Sequence, residues 1–215
     1  AKYTLNGEPI VEVDISACNP TILTAMTGKV HSSWLGREVI DPYESLLTED
    51  FSRAQIKDII VRLIGAGNAK KRAGPPDYKQ GLAIAAATNA KGEPTRYKAT
   101  QRYKELLKHL REMLPCLNDL KRGILDSNTL SFHESEIMTR VAHGRMYMGH
   151  PTYILHDGLL VPESEAEEVA EHIQFAFEGY CNHMGWPLLI KPSVTQERAK
   201  KQIAERLPMT IVDRR

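Results

Sequence analysis

Ile10 to Ser16 read IVEVDIS, with Val11, Val13 and Ile15 alternating against Glu12, Asp14 and Ser16. A period of two sends successive side chains to opposite faces, so this segment predicts a strand with one buried and one polar face. Such a strand exists only within a sheet that is covered on one side. The strand is expected to stop at Asn19-Pro20, an N-cap followed by a first-turn proline, with ILTAM continuing as a short helix. Asp14 therefore stands near the end of a strand that feeds a helix.

Further along, a helix is expected to begin near Asp41 (DPYESLL). The next is clearer: Ser52 caps it, and Ile56, Ile59, Ile60 and Leu63 form an apolar stripe at helical spacing. It runs out at Gly65-Ala66-Gly67-Asn68. Arg53 and Lys57 stand four apart and project from one face. A loop with Lys70, Lys71, Arg72 and Gly74-Pro75-Pro76 follows, and residues 77 to 90 and 95 to 121 read as helical, with Pro115 kinking or ending the second stretch. Ser131 and Glu134 have capping-box spacing ahead of a helix reaching Gly149. In TYILHDGLLVP two apolar runs flank Asp-Gly, a strong hairpin signal. Ser164 and Glu167 repeat the capping-box spacing before a helix with Ala166, Val169, Ala170, Ile173 and Phe177 inward. Trp186 to Ile190 is expected as a last strand and residues 194 to 206 as a last helix. The sum is α+β: a small antiparallel sheet backed by helices.

A chain of 215 residues fits one globular domain, or one with a subdomain. It contains no apolar run long enough to span a bilayer, and its first residues lack the layout of a signal peptide. The three cysteines, Cys18, Cys116 and Cys181, are scattered, which gives neither a disulfide framework nor a metal spacing and implies a reduced, cytosolic setting. With 28 basic and 27 acidic residues the net charge is +1, which taken alone argues against a polyanion partner. The distribution says otherwise. Phe51 to Pro75 holds six basic residues and one acid, Lys91 to Arg122 nine and four, while Asp157 to Glu178 carries seven acids and no Lys or Arg. A basic middle offset by an acidic C-terminal third can mark a polyanion-binding face, or an ordinary solvated helix surface.

Singly, the candidate residues say little. Asp14 lies on the polar face of a strand, and Asp157 sits in a turn that favours Asp for backbone reasons. As a pair they are informative, because a strand-end Asp and a hairpin-tip Asp converge if the hairpin packs beside the first strand. Two carboxylates there could hold two Mg²⁺ ions about 3.5–4 Å apart, as in-line nucleotidyl transfer requires. Arg53 and Lys57 would then suit a triphosphate. Among the rest, His133, His143, His150 and His156 show no HExxH or Cys/His spacing. Met138, Met146 and Met148 read as helix packing and Cys18 as a small buried thiol. Gly65-Ala66-Gly67 follows a helix instead of opening one, so it is no dinucleotide fingerprint.

VEVDISACNPTIL, RAQIKDIIVRLIGAG and YILHDGLLVP, in that order, resemble three motifs of the palm and fingers of family-A DNA polymerases and single-subunit phage-type RNA polymerases. These are a strand ending in Asp14-Ile15-Ser16, a helix with Arg53, Lys57 and then Gly65, and a hairpin with His156-Asp157 at its tip. LNGEPIVEVDIS is similar to phage and prophage proteins of that superfamily. The resemblance spans roughly residues 8 to 180. It implies a palm from residues 1–40 and 126–215 around a reduced helical fingers insertion at 41–125, with no thumb; a partner subunit or a missing N-terminal region would supply one.

The same resemblance implies that Asp14 and Asp157 ligate Mg²⁺ (or Mn²⁺), with the Ile15 carbonyl completing one site. Lys57 would neutralise the triphosphate and protonate the leaving pyrophosphate, Arg53 would hold its outer phosphates, and His156 would lie near the primer or transcript 3′ end. Ser16, Asn19 and Gly65 would line the nucleotide. Lys70, Lys71 and Arg72 would meet template or product backbone, a salt-sensitive contact. Two positions depart from the pattern. The helix normally carries an aromatic residue eight positions after the lysine, where this chain has Gly65, and family-A DNA polymerases have a Glu where this chain has Asn19. Base selection and sugar preference therefore stay open. The function expected is template-directed nucleotidyl transfer with nucleoside triphosphates and no membrane partner. The alternatives are a non-catalytic nucleic-acid-binding replication accessory module on a palm scaffold and a metal-dependent nuclease.

Overall fold

The alternation in IVEVDIS is realised as the central strand of an antiparallel sheet. In the computed structural model, residues 4–34, 41–47, 52–68, 96–155 and 157–198 are described, without the side chains of 96–102, 197 and 198. In chain order the regular elements are β1 (Thr4–Leu5), β2 (Glu8–Ser16), α1 (Cys18–Thr27), α2 (Arg53–Ala66), α3 (Arg96–Met113), α4 (Ser127–Tyr147), β3 (Tyr153–Leu155), β4 (Gly158–Pro162), α5 (Ala166–Met184) and β5 (Ser193–Arg198). Contacts group them into two compact units. Unit 1 takes 1–16, 134–180 and 192–215, and unit 2 takes 17–133 and 181–191. Those units are cut by compactness, whereas the palm and fingers segments expected above are defined by function. No helix among the described residues is long and apolar enough to cross a membrane.

In unit 1, β2 pairs with β4 along one edge and with β1 and β5 along the other, and β3 pairs with β4. Asn6 and Gly7, at φ 53° and 84°, close the β1–β2 hairpin, since a two-residue turn of the primed type needs positive φ at both positions. Val11, Val13 and Ile15 are buried while Glu12, Asp14 and Ser16 are half-buried, as the alternation requires. β4 is buried throughout, and α5 turns Ala166, Val169, Ile173 and Phe177 inward, with Ala170 half-buried. Fully buried Arg145 bonds Thr152 Oγ1 at 3.1 Å and pairs with Glu165 and, at 3.6 Å, Glu168. That network ties the end of α4 to the lead into β3 and the start of α5, and so fixes the hairpin's root.

Unit 2 is built on α2. Ser52 caps it as expected, in a full capping box with Gln55, and the expected stripe of Ile56, Ile59, Ile60 and Leu63 is buried, joined by Ile64. The helix ends on Gly67, at φ 52°, whose carbonyl accepts from the Arg122 amide at 3.2 Å. Asn68 donates to the carbonyls of Leu117 (2.8 Å) and Leu120 (3.0 Å) and accepts from Arg111 (3.1 Å). A Cβ on Gly67 would collide with the backbone of Arg122, whereas one on Gly65 meets nothing within 4 Å. Gly67→Ala is therefore expected to destabilise the fold by about 2–3 kcal/mol, through left-handed strain plus backbone displacement. Gly65→Ala should be neutral or stabilising by up to about 1 kcal/mol, and urea denaturation of the two variants checks the contrast.

Several local expectations are corrected. α1 begins at Cys18 with Ala17 as a left-handed N-cap (φ 52°) and no side-chain cap, so Asn19 lies inside the first turn. Near Asp41 there is a single 3-10 turn, Glu44–Leu46. α4 starts at Ser127, four residues ahead of Ser131, and Asp126 serves that end by accepting from the amides of Gly123 (2.6 Å) and Asn128 (3.0 Å). Those amides hold the Asp126 carboxyl below its ordinary range. α5 is entered through a 3-10 turn at Glu163–Glu165, and the Ser164 amide donates to Glu8. Residues 186–190 are not a strand: the Trp186 amide closes α5 on the Cys181 carbonyl at 2.9 Å. Of the helix expected over 194–206, residues 194–198 belong to strand β5 (Ser193–Arg198) and 199–206 lie outside the described residues. α3 does end at Pro115 as expected, and the stretch 77–90 lies outside the described residues. Met138 is core, but Met146 and Met148 are exposed. None of the three cysteines is in a disulfide and all are buried, and burial pushes the Cys116 thiol up to about 11, which keeps it inert at neutral pH.

Candidate active site

In unit 1, Asp14 near the end of β2 and Asp157 just before β4 are close enough for their charges to interact. Asp14 pairs across the ladder with Gly158 on one side and Thr195 on the other, and its carbonyl accepts from Thr195 Oγ1 at 3.4 Å. Leu155 pairs with Gly158 across the hairpin, and Asp157 immediately precedes β4. Asp157 thus precedes the residue opposite Asp14. The glycine of Asp-Gly is needed here for space and not for turn geometry. Its φ is not positive, and a Cβ would press on Glu12 Cγ at 3.2 Å and the Val13 carbonyl at 3.4 Å.

Asp14 is half-buried, yet its Oδ1 is closed off from solvent and has no hydrogen-bond partner among the described residues. Burial, then the negative charges of Asp157, Glu134 and more weakly Glu12, raise its pKa from 3.8 to about 7, against the stabilising Ile15 backbone amide. Among the described residues, three carboxylates and no cation act on it. A buried oxygen with no donor and an excess of negative charge is the environment of a carboxylate that takes a cation, and hard oxygen donors suit Mg²⁺ or Mn²⁺. Among the described residues no three His, Cys, Asp or Glu side chains come together closely enough to hold a metal ion. The side-chain donors on offer are therefore Asp14 and Asp157, and Glu134 acts on Asp14 through its charge.

In the sequence Glu134 stands out as a cap and, with Glu12, as an acid that a metal-dependent nuclease would use. It lies mid-helix, buried, on the face that carries Leu130, Ile137, Met138 and Val141. An acid at an inward position of an otherwise apolar stripe is the signal that could have singled it out. Ile15, buried, pairs with Val194, and Ser16 pairs with Ser193 at the end of the strand. His156 lies outside the described residues, as do Lys70, Lys71 and Arg72.

In unit 2, Asn19 has a buried Oδ1 with no hydrogen-bond partner. Arg53, Lys57, Val61 and Gly65 follow at four-residue spacing along the side of α2 away from its buried stripe. Lys57 is exposed and forms no ion pair with a described residue. Arg53 is held by Asp41, with Nε at 2.7 Å and Nη2 at 2.6 Å from Oδ2, and its Cζ lies 5.5 Å from the centre of the Tyr43 ring. Gly65 is exposed with open space around it, so nothing replaces the aromatic residue that the resemblance expects there. Elsewhere in the basic middle, Arg62 and Lys108 are engaged in ion pairs with Asp58 and Glu112.

A small antiparallel sheet with an Asp two residues before the end of its central strand, a hairpin bringing a second Asp within range of its charge, and accompanying helices make a polymerase-like, palm-type fold. Among similar solved structures is the POL domain of Pol1 from M. smegmatis, in complex with DNA primer-template and dNTP, at 13% identity and a TM-score of 0.53. The match covers 91% of this chain and 40% of that one, so the chain spans about two fifths of its neighbour's length. No family model matches the sequence, and no curated protein matches it.

Proposed function

We propose that the chain is a template-directed nucleotidyltransferase, the core of a DNA or RNA polymerase, working through Asp14 and Asp157. One observation carries this: a closed-off, unpartnered Asp14 oxygen under the charge of Asp157 and Glu134, at the strand end of a polymerase-like fold. Asp14, Asp157 and the Ile15 carbonyl would hold two Mg²⁺ or Mn²⁺ ions, which would supply charge neutralisation at the reacting phosphate. The protein's own contributions are distinct. Lys57 neutralises the triphosphate and gives a proton to the departing pyrophosphate, while Arg53 grips the outer phosphates. His156 borders the 3′ end, Ser16 and Asn19 line the sugar, and Gly65 leaves the base unstacked on that side. Lys70, Lys71 and Arg72 hold nucleic-acid backbone. In this reading residues 1–40 and 126–215 are palm and 41–125 fingers.

Primer extension on a primed template, with Mg²⁺ or Mn²⁺ and with dNTPs and NTPs supplied separately, tests it. Incorporation of either nucleotide set is expected. Retained DNA binding without any incorporation would instead support a non-catalytic accessory module, a reading that the bare Gly65 favours.

A further inference from the structure

The ion pair that holds Arg53 has a form suited to more than fastening a helix. We propose that Asp41 is a positioning residue, which aims the Arg53 guanidinium at the outer phosphates of a nucleoside triphosphate with the Tyr43 ring fixing its plane. This rests on the function proposed above for the cationic side of α2. Asp41 is itself anchored: Oδ1 accepts from the Tyr43 amide at 2.8 Å, leaving Oδ2 to take both Nε and Nη2 of Arg53. A carboxylate tied at both oxygens is a fixed post. Guanidinium carries five N–H donors in one plane, and Asp41 uses only the Nε/Nη2 edge. The Nη1 edge bonds no described residue, and the Arg53 side chain is 40% exposed against 11% for Asp41. Tyr43, buried at 3% exposure, sets the tilt of that plane.

The location also needs explaining. Arg53 is the first residue of α2, where the helix dipole opposes a cation, and the first turn contains no acid. Asp41 supplies the missing charge from outside the helix. Lys57, one turn on, is a flexible point charge that can find a phosphate unaided. An arginine recognises phosphate through a fork, and a fork has to be pointed.

Equilibrium binding of dATP and ATP with Mg²⁺, followed by calorimetry, tests the proposal without relying on turnover. Asp41→Asn keeps the acceptor for the Tyr43 amide but removes the charge, and is expected to weaken triphosphate binding about tenfold, while Asp41→Glu recovers most of it. In extension assays the loss should fall on KM, with kcat held within about threefold. The decisive measurement is the cycle with Arg53→Ala, on which Asp41→Asn should have no further effect. If Asp41→Asn does not fold, Tyr43→Leu takes its place, with a smaller loss that likewise vanishes on Arg53→Ala. An equal loss with and without Arg53, unchanged binding, or tighter binding because Asp41 competes with phosphate would each overturn it. Triphosphate binding that depends on Asp41 in a protein that incorporates nothing would sink the polymerase reading and leave this one standing. Absence of any triphosphate binding by the unaltered protein overturns both.

Discussion

Asp14→Asn is expected to lower nucleotide incorporation about 10³-fold or more and, in the same protein, to make the fold more stable at mildly alkaline pH. The rate loss follows from removing one of the two side-chain donors, and Asp157→Ala should match it. Stability moves the other way. In the folded state the Asp14 pKa is raised from 3.8 to about 7, so across that window the folded protein binds more protons than the unfolded chain. Stability contributed by this site is therefore greatest at low pH, falls as pH rises from about 4 to about 7, and stays low above. An uncharged Asn escapes that penalty. Because Asp14 is only half-buried, the gain at pH 8 is about 1–2 kcal/mol, well below what the full shift would give. Thermal melts should show the variant above the parent at pH 8, with the gap closing toward pH 4. Adding Mg²⁺ at pH 8 should raise the parent's melting temperature and leave Asp14→Asn unmoved. A variant that loses both activity and stability would instead mean that Asp14 is a structural residue. Asp157 is exposed, so Asp157→Ala should change stability little, which separates the two carboxylates.

What could be read in advance was what local chemistry dictates. The alternation of β2, the capping box and stripe of α2, and the hairpin around Asp157 each follow from a few neighbouring residues. β5 was hidden because SVTQER is a polar strand whose place is set by backbone pairing to β2, and the following charged residues read as helix. Trp186 to Ile190 misled in the opposite sense, since its apolar residues cover a helix end without laddering. Within the site, the pairing of Asp14 with Gly158 was within reach once the hairpin was placed beside β2. The closed Oδ1, the charge of Glu134 and the grip of Asp41 on Arg53 were not, because each depends on residues brought together from distant parts of the chain. A half-buried aspartate and a solvated one leave the same trace in a period-two pattern.

Lys57→Ala is expected to reduce kcat/KM for incorporation about 10²–10³-fold, with stability changed by less than about 0.5 kcal/mol. The small stability effect follows from its exposure on α2, where no described residue pairs with it. On the function proposed above, the size of the rate effect comes from two duties, neutralising charge that builds on the triphosphate and giving a proton to the leaving pyrophosphate. Lys57→Arg tells them apart. Guanidinium keeps the positive charge, but with a pKa above about 12 it does not give up its proton at neutral pH. Arginine should therefore restore KM for the nucleotide to within about threefold, yet leave kcat low by about tenfold or more. Full recovery of kcat by Arg would reduce Lys57 to a point charge and remove proton transfer from its role. If Lys57→Ala incorporates nucleotide at the parent's rate, the cationic side of α2 faces something other than the triphosphate. The same result would withdraw Arg53, one turn earlier, from the nucleotide as well.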